Sequence, residues 1–128
     1  MQKMFLLLGT VLAGLAVALG AFGAHGLKKL VGPETVSSYQ TGVQYQMYHA
    51  LILIIVGILA ERFHNSFITY SGVFFIAGVV FFSGSLYLLV SLQAMNKSVP
   101  TPVNILTPIG GLFFIIGWVL LLVGILRK

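Results

Sequence analysis

The nine charged side chains of this 128-residue chain all stand outside four long apolar stretches, 4–27, 43–60, 67–92 and 104–126. A charge near the middle of a bilayer costs about 3 kcal/mol or more. A chain that confines Lys3, Lys28, Lys29, Glu34, Glu61, Arg62, Lys97, Arg127 and Lys128 to the breaks therefore has the bilayer as its solvent. The pattern implies an all-α membrane protein, a four-transmembrane-helix antiparallel bundle with short loops. Composition agrees: 59% of residues are hydrophobic and 7% charged, whereas about a quarter are charged in soluble domains. One integral-membrane domain over 1–128, with spans near 4–27, 37–60, 67–92 and 104–126, is expected to use nearly the whole chain. Any activity is then built from the helices themselves.

A spanning helix needs about 20 residues to cross a core of roughly 30 Å. Three stretches satisfy this unaided. Val43–Ala60 is short, so the second span is expected to begin near Ser37, with a short amphipathic run from Pro33 feeding into it after the Gly32-Pro33 break. A cleaved signal peptide is the alternative for 4–27, because Lys3 precedes an apolar run and Ala21-Phe22-Gly23 has a small-x-small form. The length and the spaced Gly and Ala favour a retained span. Four spans place both termini on one side. That side carries Lys3, Arg62, Arg127 and Lys128 against Lys28, Lys29 and Lys97 opposite, which points to cytoplasmic termini by a small margin. The formal charge of +5 is scattered over helix ends with no basic run, so anchoring beside anionic lipid headgroups is expected, with no nucleic-acid partner. The absence of Cys removes disulfides and a thiol nucleophile.

Small residues recur every seven positions: Gly9, Ala16 and Gly23 in the first span, Ser71, Gly78 and Ser85 in the third, and Gly110, Gly117 and Gly124 in the fourth. In lipid the hydrophobic effect does not press helices together, and close contact along such seams does so instead. Gly23, Gly78, Gly110, Gly117 and Gly124 are therefore expected to be helix-packing positions. The seams exceed what four helices need and suggest a homo-oligomer. Ala13-Gly14 with Gly20-Ala21, and Ala77-Gly78 with Gly84-Ser85, form a faint echo between the halves, which chance in Gly-rich apolar sequence also produces.

Polar residues within the spans gather in one half of the bilayer. With alternating helix directions, His25 ends the first helix, Tyr45 and His49 lie early in the second, Ser83, Ser85 and Tyr87 lie late in the third, and Thr107 opens the fourth. Thr41, Tyr45 and His49 share a face at i, i+4, i+8, as do Ser83, Tyr87 and Ser91. His49, six residues past Val43, is expected about 9 Å below that end of the span. It reads either as a proton acceptor, ligand contact or metal ligand, or as a neutral imidazole bonded to a neighbouring helix. His25 lies near the interface and His64 in the opposite loop.

Four motifs carry a resemblance that covers the chain in order. Gly20-Ala21-Phe22-Gly23-Ala24-His25-Gly26-Leu27, Tyr45-Gln46-Met47-Tyr48-His49-Ala50-Leu51, Phe82-Ser83-Gly84-Ser85-Leu86-Tyr87-Leu88 and Thr107-Pro108-Ile109-Gly110-Gly111 with Ile116-Gly117-Trp118 resemble the YgdD/YwdK family of small bacterial four-span membrane proteins. The resemblance implies a bacterial plasma-membrane location and a four-helix fold, and it implies no activity, substrate or cofactor. Three readings follow. The group His25, Tyr45, His49, Ser83, Ser85, Tyr87 and Thr107 lines a pocket for a lipid or small polar solute; or it fixes helix register in a structural or accessory protein with a protein partner; or it serves an intramembrane enzyme. The last is disfavoured, since no intramembrane Asp or Glu orients a base or holds a metal. The same lack separates the chain from small proton-coupled exporters that use an embedded glutamate. A Ser83–His49 nucleophile pair and a His25–His49 haem ligand pair are conceivable pairings, each without a supporting third feature. No catalytic residue, metal ligand or cofactor is assigned.

Overall fold

The computed structural model describes residues 2–127. Helix α1 (Gln2–Ala24) leads through a 3-10 turn (Leu27–Lys29) to α2 (Pro33–Arg62). The third span is α3 (Ser66–Gly78), a π-helical turn (Val79–Ser83) and α4 (Gly84–Ala94) in continuous succession, and α5 (Thr101–Leu126) closes the chain. All four spans are long and apolar enough to cross a membrane, and no strand occurs among the described residues.

Local chemistry accounts for the boundaries. Gly32 is extended, Pro33 occupies the first turn and Glu34 follows it, a combination in which the missing N–H of Pro costs nothing and the acid faces the positive helix end. The second helix therefore starts at Pro33 and not near Ser37, and the interfacial run and the span form one rod. Asn65 accepts from the Ile68 N–H (3.4 Å) and donates through Nδ2 to the Gly124 carbonyl (3.0 Å), capping α3 and tying it to the end of α5. Asn96 closes α4 in the left-handed region at φ 57°, which Asn tolerates better than most residues. Helix α5 begins at Thr101, with Pro102 in its first turn and Pro108 inside it. The π turn, in which the Gly84 N–H reaches back to the Val79 carbonyl, has no counterpart in the uniform helix expected over 67–92.

Helix α1 packs on α2, and α5 packs on α3 and the π turn, while α2 lies along the whole third span. α2 and the third span are thus the inner pair, flanked by α1 and α5. Phe5, Leu53, Val56, Ile68 and Phe75 are fully buried in the half holding the termini, and Leu27, Val36, Tyr39 and Val90 form a second cluster at the other end. The outward faces are apolar as well, with Leu15, Val17, Ile58, Val80, Ile115 and Leu122 at least half exposed, as hydrocarbon surroundings require.

The seams bring backbones together where a methyl group would not fit. A Cβ on Gly117 would stand 2.7 Å from the Phe75 ring, one on Gly124 2.6 Å from the Ile68 side chain, and one on Gly23 2.6 Å from the Tyr39 ring. The tightest positions are Gly78, against the Phe114 ring, and Gly110, against the backbone of Phe82 in the π turn. Absence of the side chain is what lets these helices approach.

Candidate functional site

Helix α2 has 30 residues, about 45 Å at 1.5 Å per residue. His49, sixteen residues past Pro33, lies about 24 Å along it. That is near the middle of the helix, and His49 still lies about 9 Å along it from Val43, where the apolar stretch begins. Only 4% of His49 is exposed. Its ring stacks on Phe114 with centroids 3.6 Å apart and planes at 7°. Gly78 provides the room for that Phe114 ring, so a seam glycine positions the imidazole's partner.

Both ring nitrogens of His49 are engaged. Nδ1 lies 2.7 Å from the Tyr45 carbonyl, which only accepts, so Nδ1 carries the proton. Nε2 lies 3.1 Å from Trp118 Nε1, an indole that only donates, so Nε2 is the acceptor. The neutral imidazole satisfies both partners, and a second proton would set two N–H groups against each other. Neither nitrogen is left to bind a metal or haem iron in this arrangement. Among the described residues no three His, Cys, Asp or Glu side chains gather in a metal-binding group.

Beside His49 an open groove of about 570 Å³ runs between α2, the π turn and α5. Tyr45 and Phe82 stack along it with centroids 4.7 Å apart, and Pro108, Gly111, Phe114, Ile115 and Trp118 line it from α5. Tyr45 is 38% exposed and Trp118 45% exposed. The Tyr45 hydroxyl has no intramolecular partner among the described residues.

The remaining residues singled out in the sequence occupy separate contacts. Tyr87 donates to Gln46 Oε1 (2.6 Å), and Gln46 Nε2 donates to the Leu12 carbonyl (2.8 Å), so one relay clasps α4, α2 and α1. Ser83 in the π turn donates to the Gly42 carbonyl of α2 at 2.7 Å. Ser85 donates to the Phe82 carbonyl of its own span (2.8 Å) and receives the Thr107 hydroxyl of α5 at 2.5 Å. His25 is exposed and turns back on the Ala21 carbonyl of its own helix. Tyr45 and His49 are thus together in the groove, Ser83, Ser85, Tyr87 and Thr107 serve helix clasps, and His25 stands apart. Tyr39, whose hydroxyl donates to the Leu19 carbonyl at 2.6 Å, adds another clasp. No buried side-chain nitrogen or oxygen among the described residues lacks a partner.

Gln46 and Trp118 stand out in the sequence only as parts of motifs. Gln46 shares the buried face of Gly42, His49 and Leu53 at helical spacing, a signal the sequence contained. The pairing of Trp118 with His49 spans 69 positions and leaves no local trace.

The four spans, lipid-compatible outer faces and internally satisfied polar groups define an integral membrane helix bundle. The profile of the family described as "Protein of unknown function (DUF423)" matches residues 19–111. The chain is 42% identical over 127 residues to UPF0382 membrane protein YwdK of Bacillus subtilis, covering 98% of both chains. It is 42% identical over 122 residues to UPF0382 membrane protein SAB0533 of Staphylococcus aureus, covering 95% of this chain and 94% of the relative. To UPF0382 inner membrane protein YgdD of Escherichia coli K12 it is 38% identical over 128 residues, covering 99% and 93%. No solved structure matches the chain. The chain belongs to this DUF423 family of bacterial membrane proteins, in agreement with the resemblance drawn from its motifs.

Proposed function

We propose that this membrane protein binds a lipid-like ligand, its acyl chain lying in the groove beside His49. The observation that carries the reading is the aromatic groove of about 570 Å³ between α2, the π turn and α5. Its walls suit hydrocarbon, and the unpartnered Tyr45 hydroxyl offers one polar contact. A polar solute is less well served, because the Ser, Thr, Gln and His side chains that would line its path are engaged by other helices or by their own. In cells fed a photoreactive fatty acid, crosslinks are expected on peptides spanning 108–118. Labelling confined to other faces of the bundle would refute the assignment.

A second reading has its own support. Clasps joining α1, α2, the third span and α5 suit a structural or accessory protein whose polar groups set register, assembling with its own copies or a protein partner. In both readings the chain resides in the plasma membrane with cytoplasmic termini. Tags at both ends are expected to be inaccessible to impermeant alkylating reagents in intact cells, and labelling from outside would reverse the orientation.

A further inference from the structure

We infer that the end of the bundle bearing Lys28 holds the headgroup of an anionic phospholipid. Where the Leu27–Lys29 turn folds over the start of α2, it leaves a cavity of about 350 Å³ lined by Lys28, Val31, Pro33, Val36, Ser37 and Gln40. The Lys28 ammonium, the Ser37 hydroxyl and the Gln40 amide have no hydrogen-bond or ion-pair partner among the described residues. Three unengaged polar side chains, one of them cationic, thus line one exposed pocket, and Val31, Pro33 and Val36 supply apolar wall. A phosphodiester needs such donors, and its glycerol and upper chains need the wall.

Charge and depth identify the source of the anion. Lys28, Lys29 and Lys97 share this end with a single acid, Glu34, which does not line the cavity. Lys28 follows the end of α1, at the level where basic side chains meet lipid phosphates. A bilayer lipid is present there at far higher local concentration than any free anion. Lys29, one position on, lines neither this cavity nor the apolar cleft on the other side of the turn, and so provides an internal control of equal charge.

The test is native mass spectrometry of delipidated protein titrated with phosphatidylglycerol or phosphatidylcholine. Wild type and Lys29→Gln are expected to retain one phosphatidylglycerol in preference to phosphatidylcholine. Lys28→Gln is expected to lower that retention about tenfold, the effect of losing one charge-assisted hydrogen bond. The charge-neutral double variant Ser37→Ala/Gln40→Leu is expected to lower it too, and inorganic phosphate is expected not to displace the lipid. Equal losses in Lys28→Gln and Lys29→Gln would reduce the effect to surface charge and overturn the site. So would indifference to lipid type, an unchanged double variant, or displacement by phosphate.

Discussion

The depth of His49 matters less than what its two nitrogens touch. A titratable group buried within a membrane-spanning helix invites a proton-transfer role, yet the Tyr45 carbonyl and the Trp118 indole between them fix one neutral tautomer. The sequence made His49 conspicuous but could not decide between relay and clasp, since the deciding partner sits on another helix. Tyr87 and Gln46 show the same division: both types were visible, their pairing was not. Replacing Tyr87 by Phe leaves Gln46 Oε1 without its donor and is expected to cost about 1 kcal/mol of stability in detergent, the usual range for interhelical bonds in membranes. The double variant Tyr87→Phe/Gln46→Leu should lose less than the two single variants together, as thermal unfolding of all four proteins would show. Strict additivity would mean that the pair does not interact.

Helices meet where side chains are missing, and the seven-residue spacing of Gly110, Gly117 and Gly124 was legible because lipid removes the hydrophobic alternative. Adjacent glycines in α5 separate packing from ligand space. Gly110 abuts the Phe82 backbone, whereas a Cβ on Gly111 would come no closer than 3.8 Å, to the edge of the Phe82 ring. Gly110→Ala is therefore expected to destabilise the bundle by about 1–3 kcal/mol, and Gly111→Ala to be neutral or slightly stabilising. Equal effects in unfolding measurements would contradict the packing described here. The π turn was not legible, because nothing in Val79–Ser83 resembles a helix breaker. It brings the Phe82 backbone to Gly110 and aims Ser83 at the Gly42 carbonyl, a tertiary fit that local sequence does not encode. The early start of α2 was half legible: Gly32-Pro33 marked it, but the apolar stretch suggested a shorter rod.

For the whole molecule, charge placement alone was enough to read four spans, since the bilayer penalises any other arrangement. The gathering of polar groups towards one half was also readable from helix direction. Their division into a relay, three short clasps and an aromatic groove was not, because it depends on which faces meet. The groove between α2, the π turn and α5 carries the functional proposal. Gly111→Leu should fill it from a position that tolerates added atoms, leaving the clasps intact. The most direct measurement is native mass spectrometry of wild type and Gly111→Leu released from native lipid discs, with folding verified by thermal unfolding. Wild type is expected to carry one acyl-chain adduct more than folded Gly111→Leu, which keeps only the lipid held at the Lys28 end. Equal numbers of acyl-chain adducts on the two proteins would contradict the groove's role and favour the structural reading.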